Sequence, residues 1–207
     1  MRLAHELSLS SAIRYNFFCG HVRKSGGKII PYSRSVFIFG PNGRLIIRGN
    51  FRTNVNCIKR NGRSTIVRVD RDAVLETGGE FTLYYGGDII VFENAKLFFG
   101  KDCGCNSDVK IRCTRLIEIG DRTFISHNVT ILDSDSHELC GIGSDMTKPI
   151  RIGSHVLIGT HATILKGAVI GDHSVIAANA VVTGEIPAHC LAAGIPARVI
   201  RENINWK

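Results

Sequence analysis

From residue 152 onward an aliphatic side chain returns every six positions, at Ile152, Ile158, Ile164, Ile170, Ile176 and Val182. The same beat is heard earlier at Ile119, Ile125 and Ile131. Within the later units the fifth position is small or branched: Val156, Ala162, Ala168, Ser174 and Ala180. A period of six fits neither the turn of an α-helix, about 3.6 residues, nor the alternation of a long strand. It predicts a short strand and a sharp corner, repeated. Aliphatic residues at one phase then stack inward from coil to coil, and the small fifth residue lets the corner close. Gly or Ala after the aliphatic residue relaxes the turn. Three such units per coil close a triangular prism of about 18 residues per turn, with neighbouring strands ~4.8 Å apart. The alternative is an ordinary β-sandwich with evenly spaced strands, and six consecutive matches count against it.

The beat is regular over 117–186 and looser upstream. There, GRLIIRG (43–49) and AKLFFG (95–100) read as strand followed by corner. The expected organisation is a cap or decoration over 1–29, irregular coils over 30–116, regular coils over 117–191 and a tail over 192–207. A solenoid needs its apolar end covered, which is the work assigned to the first segment. One interruption breaks the regular zone. LDSDSHELCGIGSDMTKP (132–149) separates Ile131 from Ile150 and reads as a loop extruded from a rigid scaffold, where function concentrates.

Composition narrows the class. With 44% hydrophobic residues, 22 Gly and only 5 Pro in 207 residues, the chain is globular and rich in turns. The net charge of +8 is compatible with an anionic small molecule. The Lys and Arg residues form no run of four, and no nucleic-acid-binding motif is present, so nucleic acid is not an expected partner. Seven Cys (19, 57, 103, 105, 113, 140 and 190) are an odd number without a C-x-x-C pair. They predict no disulfide framework and a reducing compartment. Cys103 and Cys105 read as small residues inside tight coils rather than as metal ligands. His5, Glu6 and Arg14 interrupt the apolar N-terminus, so neither a signal peptide nor a membrane span is expected. A cytoplasmic protein follows, with room for a peripheral association at the inner membrane.

The repeat resembles the hexapeptide-repeat acyltransferases. AAGIPARVIREN (192–203) is similar to the A-G-x-P-A-[RK]-x-[IVL] signature that closes the β-helix of sugar acetyltransferases. The resemblance implies an all-β fold: a single-stranded left-handed parallel β-helix with one extruded loop. The left hand comes from the resemblance alone, since crossover connections are otherwise right-handed. It further implies acetyl-CoA as co-substrate, no metal, a sugar or surface-polysaccharide acceptor, and a homotrimer with sites at subunit boundaries.

Within that frame, Asp133-Ser134-Asp135-Ser136-His137 is similar to the run that carries the family's catalytic histidine. Acyl transfer to an alcohol needs a base near neutrality, and imidazole both accepts and returns a proton. His137 takes that role, Asp133 or Asp135 orients its ring, and Asn128 offers a polar contact or serves as a corner residue. The resemblance places coenzyme A against Thr160, Ala178 and Thr183, with Lys166, Arg198 and Arg201 toward its phosphates. Trp206 covers the donor or acceptor site, or packs. Leu157 stands where many relatives have Trp.

The rivals are N-acetylation of an amino sugar or nucleotide sugar, a zinc protein similar to the γ-class carbonic anhydrases, and a non-catalytic scaffold. His155, His161 and His173 occupy the fourth, outward position of their units but lack the close pair of ligands found in those zinc enzymes. His127, His5, His21 and His189 read as surface or packing residues.

Overall fold

The structure, a computed structural model, describes residues 7–57, 62–137 and 145–207. His5 and Cys140 lie outside the described residues. The chain winds through three sheets, and each sheet takes every third strand in chain order until the last strand, which follows its neighbour directly. The first sheet opens on Val22–Lys24, the second on Ile29–Pro31 and the third on Ser35–Phe39. Among the described residues the sheets hold eight, nine and seven strands. Strands pair in parallel throughout, apart from the last pair, and the buried aliphatic side chains form one continuous interior. The result is a three-sided parallel β-helix.

The register follows the beat read from the sequence. Ile152 pairs with Ile170, Ile158 with Ile176 and Ile164 with Val182, each three units further along the chain, and all six are buried. The fourth position of each unit turns the corner in the left-handed region. His155, His161, His173 and Asn179 have φ of 56°, 61°, 60° and 60°. Asn and His tolerate that conformation better than most residues.

The stretch expected to be looser runs through the same three sheets in longer coils. Leu75 pairs with Leu97 and Leu97 with Ile117, partners spaced more widely and less evenly than those of the regular zone. Strands there reach five residues, as in Ser35–Phe39 and Thr65–Val69. Larger coils need larger filling. Phe51, Phe81 and Phe99 supply it as a fully buried column with ring centroids 4.9 and 4.5 Å apart.

Both ends are closed. At the N-terminus an α-helix, Leu9–Ile13, runs directly into a π-helical turn, Arg14–Phe18. The Asn16 side chain accepts from Ile29 N (3.0 Å) and donates to Ile29 O (2.8 Å), so the edge of the second sheet is occupied. Tyr15 packs its ring 4.6 Å from that of Phe37. At the far end Ala197–Arg201 folds back antiparallel on Leu191–Gly194 and takes the position of a next coil. Among the described residues no helix is long and apolar enough to cross a membrane.

Candidate active site

The insertion leaves the prism at the corner between the third and first sheets, after Thr130–Leu132, and returns at Ile150–Ile152. Its two legs pair with one another. Ser134 bridges Thr147 in antiparallel fashion, Asp135 N donates to Met146 O (3.0 Å) and Lys148 N to Asp133 O (3.0 Å). His137 stands exposed beyond this short ladder, after Ser136, which turns at φ 62°.

The two carboxylates of the run are already engaged. Asp133 is fully buried and accepts from the backbone N–H groups of Thr114 (2.6 Å), Arg115 (2.8 Å) and Leu116 (2.8 Å). The next coil departs here, and the carboxylate supplies the acceptors that its backbone would have offered. Asp135 forms an ion pair with Lys166, whose Nζ also donates to Asp145 O (2.6 Å). Lys166 therefore ties both legs of the insertion to the following coil. Among the described residues neither carboxylate hydrogen-bonds His137. The first shapes the root of the insertion and the second anchors it.

The remaining sequence-predicted residues fall into separate groups. Thr183 shares the third-to-first corner with Lys166. Asn128 turns the second-to-third corner at φ 56°, with Thr160 and Ala178 stacked along the same edge, where Asn179 N donates to Thr160 O (3.0 Å). Arg198 and Arg201 are exposed on the closing antiparallel strand. Trp206 is held more firmly than the sequence suggested. Its Nε1 donates to His155 O (2.8 Å), and its ring stacks on His155 at 4.3 Å and meets Phe124 edge-on at 6.2 Å.

That stack continues down the corner. His155 and His173 approach with Nδ1 atoms 3.1 Å apart, and His173 stacks on His189 at 4.8 Å. Burial, with His173 and Arg122 adding like charge, holds His155 below the usual histidine range. The rings face one another instead of converging on a point. Among the described residues no three His, Cys, Asp or Glu side chains are arranged to hold a metal ion. Cys103 and Cys105 are buried inside the second sheet, and burial pushes the Cys103 thiol up to about 11.

Sequence reasoning missed a cavity of about 470 Å³ on the outer face of the second sheet. Glu80, Tyr84, Asp102, Asn106, Phe124 and Leu157 are among its lining residues. Burial alone would raise the Glu80 carboxyl, but the Asn50 amide and the Arg52 guanidinium (2.6 Å) outweigh it and hold the group below the usual range. Carboxylates, an amide and aromatic faces in one cleft suit a polyhydroxylated ligand. The available signal was the outward phase of the longer coils, where polar and aromatic residues such as Glu80, Thr82, Tyr84 and Asn106 fall on one face.

Comparison with known proteins agrees with this architecture. The bacterial transferase hexapeptide family (six repeats) matches residues 149–184. The galactoside O-acetyltransferase of Escherichia coli (strain K12) is 40% identical over 111 residues, 52% of this chain and 55% of that protein. WbbJ of the same organism, named as a lipopolysaccharide biosynthesis O-acetyl transferase, is 31% identical over 65% of this chain and 74% of its own length. The chain belongs to the hexapeptide-repeat acyltransferases. Its relatives place it in the sugar O-acetyltransferase branch of that superfamily. The match to the galactoside enzyme spans only about half of that relative. Among solved structures, a mutant of AntD, an N-acyltransferase from Bacillus cereus in complex with dTDP and coenzyme A, shares the fold. Its TM-score is 0.57 at 16% identity, over 95% of this chain and 91% of that one.

Proposed function

We propose that the protein transfers an acetyl group from acetyl-CoA to a hydroxyl of a sugar or surface-polysaccharide unit, in the cytoplasm and as a homotrimer. The coil is read as left-handed and single-stranded, and the insertion as an extruded loop that reaches a neighbouring copy. The observation that carries this reading is the position of His137. It leaves the prism at the corner between the third and first sheets, whereas the polar cavity lies on the second sheet, the face opposite that corner. One chain keeps its base and its cleft on opposite sides. Two copies side by side bring the base of one to the cleft of the other, and a closed ring of three satisfies every chain.

His137 Nε2 or Nδ1 takes the acceptor hydroxyl proton as the oxygen attacks the thioester carbonyl. The carbon–sulfur bond breaks, and His137 returns the proton to the coenzyme A thiolate. Asp133 and Asp135 act on the loop that carries His137, not on its ring. Thr160 and Ala178 on one edge, with Arg198 and Arg201 at the closed end, lie along a path that a long phosphorylated co-substrate can follow.

Thiol release from acetyl-CoA, measured with a panel of sugars, amino sugars and polysaccharides, tests the reading. Release is expected only with a hydroxylated acceptor, and a fall of roughly 10²–10⁴-fold is expected in His137→Ala. Equal release from both proteins removes His137 as the base, and release with amino sugars alone moves the reaction to nitrogen.

A further inference from the structure

The charge of the molecule is sharply divided along the prism. Between Glu6 and Asp70 the chain carries twelve Lys and Arg and no Asp or Glu, whereas from Asp70 onward seventeen Asp and Glu stand against thirteen Lys and Arg. Some of the early cations reach carboxylates of later coils, Arg48 to Glu76, Arg52 to Glu80 and Arg63 to Asp108, and Arg68 pairs with Asp70 just beyond its own strand. Arg14, Arg23, Lys24, Lys28 and Arg44 are exposed in the first coils, and among the described residues none of them forms an ion pair.

The same end carries apolar side chains that the fold leaves in water. Phe17 and Phe18 are 77% and 80% exposed, and Leu9 and Ile13 beside them are 65% and 45% exposed. The interior does not need these two rings, because Tyr15 faces it from the same turn. The Lys24 ammonium lies 5.4 Å from the centre of the Phe17 ring and donates to Asn16 O (2.6 Å), so cation and ring project together. The chain then passes into a cavity of about 590 Å³ lined by Gly20, His21, Arg23, Asn42, Gly43 and Arg44. Among the described residues its lining includes two Arg and one His and no carboxylate. Nδ1 of His21 is tied to Gly43 O (2.8 Å) and its ring stacks on Phe39 (5.0 Å), which fixes the wall of the cavity.

We propose that this N-terminal end docks on a membrane containing anionic phospholipid. Phe17 and Phe18 enter the boundary between headgroups and acyl chains, Arg23 and Arg44 receive a lipid phosphate, and Lys24 and Lys28 flank them. A soluble polyanion would use the cations and leave two phenyl rings in water. A second copy of this end would cover the rings and bring like charges together. An anionic bilayer uses both features at once, since its surface draws basic residues and its interior takes aromatic ones.

Co-sedimentation with vesicles of phosphatidylcholine alone, and of phosphatidylcholine with phosphatidylglycerol, tests the proposal. The wild type is expected to pellet with the second kind and to be released by added salt. Phe17→Ser/Phe18→Ser is expected to lose at least about tenfold in affinity, and Arg23→Gln/Arg44→Gln about fivefold per cation. All four side chains are exposed, so both variants are expected to retain the circular dichroism spectrum and the thiol-release activity on a soluble acceptor. Failure to pellet with either vesicle overturns the proposal, as does equal binding to both. A wild-type affinity in Phe17→Ser/Phe18→Ser, or binding only to a soluble polyanion such as heparin, assigns the charge to another partner and overturns it too. So does a loss of oligomeric mass in that variant without any vesicle binding, which would give the rings to a second copy.

Discussion

Asp133 and His137 sit in one short run and do opposite things. Asp133 is buried with three backbone amides around its carboxylate, while His137 is exposed at the end of the turn that follows. Asp133→Ala removes the buried carboxylate that accepts from the N–H groups of Thr114, Arg115 and Leu116. It is expected to cost about 3 kcal/mol in urea unfolding, and to lower activity although His137 remains; an unfolding midpoint equal to wild type would contradict this reading. The histidine column gives a pH prediction with a definite sign. Because the folded state holds His155 below its usual range, His155 binds a proton more readily once the structure around it opens. The contribution of neutral His155 is full above the ordinary histidine value of about 6.5. It begins to fail as the pH falls below that value and is gone below the folded value. Trp206 is the only tryptophan of the chain and stacks on His155, so its fluorescence reports the event directly. Its emission is expected to shift to the red below that pH and to do so earlier when His173 is replaced by Lys. Emission that does not change across the histidine range would remove the column as the tail's latch.

At the scale of the coil, close approach between neighbouring turns sets the tolerance for side chains. A Cβ on Gly171 would lie 2.3 Å from Ala188 N, backbone that cannot give way, whereas one on Gly184 meets nothing within 4 Å. Gly171→Ala is therefore expected to destabilise by about 1–3 kcal/mol, and Gly184→Ala to leave the denaturant midpoint unchanged or raise it; equal effects at the two positions would refute the coil register. This is also the scale at which the sequence was most legible. From Ile117 to Val182 each coil is three repeat units, interrupted by a single insertion, so the inward positions keep the beat and can be counted; only the closing coil is shorter, with Ile170 paired to Ile186. Upstream the same prism is built from longer coils of unequal length. The changing count hides the period, although Phe51, Phe81 and Phe99 still mark the interior. The insertion that carries His137 was legible because a break in a strict repeat is conspicuous. The engagement of Asp135 with Lys166 was not, because residues so distant in sequence meet only once the insertion folds back on the next coil. The cavity on the second sheet was hidden for a related reason: its lining comes from four successive coils of unequal length.

For the whole molecule, the triangular cross-section makes the argument for assembly. On the proposed reading, a base at one corner and a cleft on the opposite face serve each other only between chains. Cyclic symmetry also sets equivalent features of three chains at one height, so three N-terminal ends would meet the same surface together. Subunit complementation tests the shared site most directly. His137→Ala and Asp102→Ala/Asn106→Ala are each expected to be nearly inactive in thiol release, one lacking the base and the other the cleft. Unfolded, mixed in equal amounts and refolded together, the two are expected to recover roughly a quarter of wild-type activity. That is the chance that a boundary draws its base from one variant and its cleft from the other. Mixed assemblies verified by native mass spectrometry that remain inactive would contradict a site built between copies.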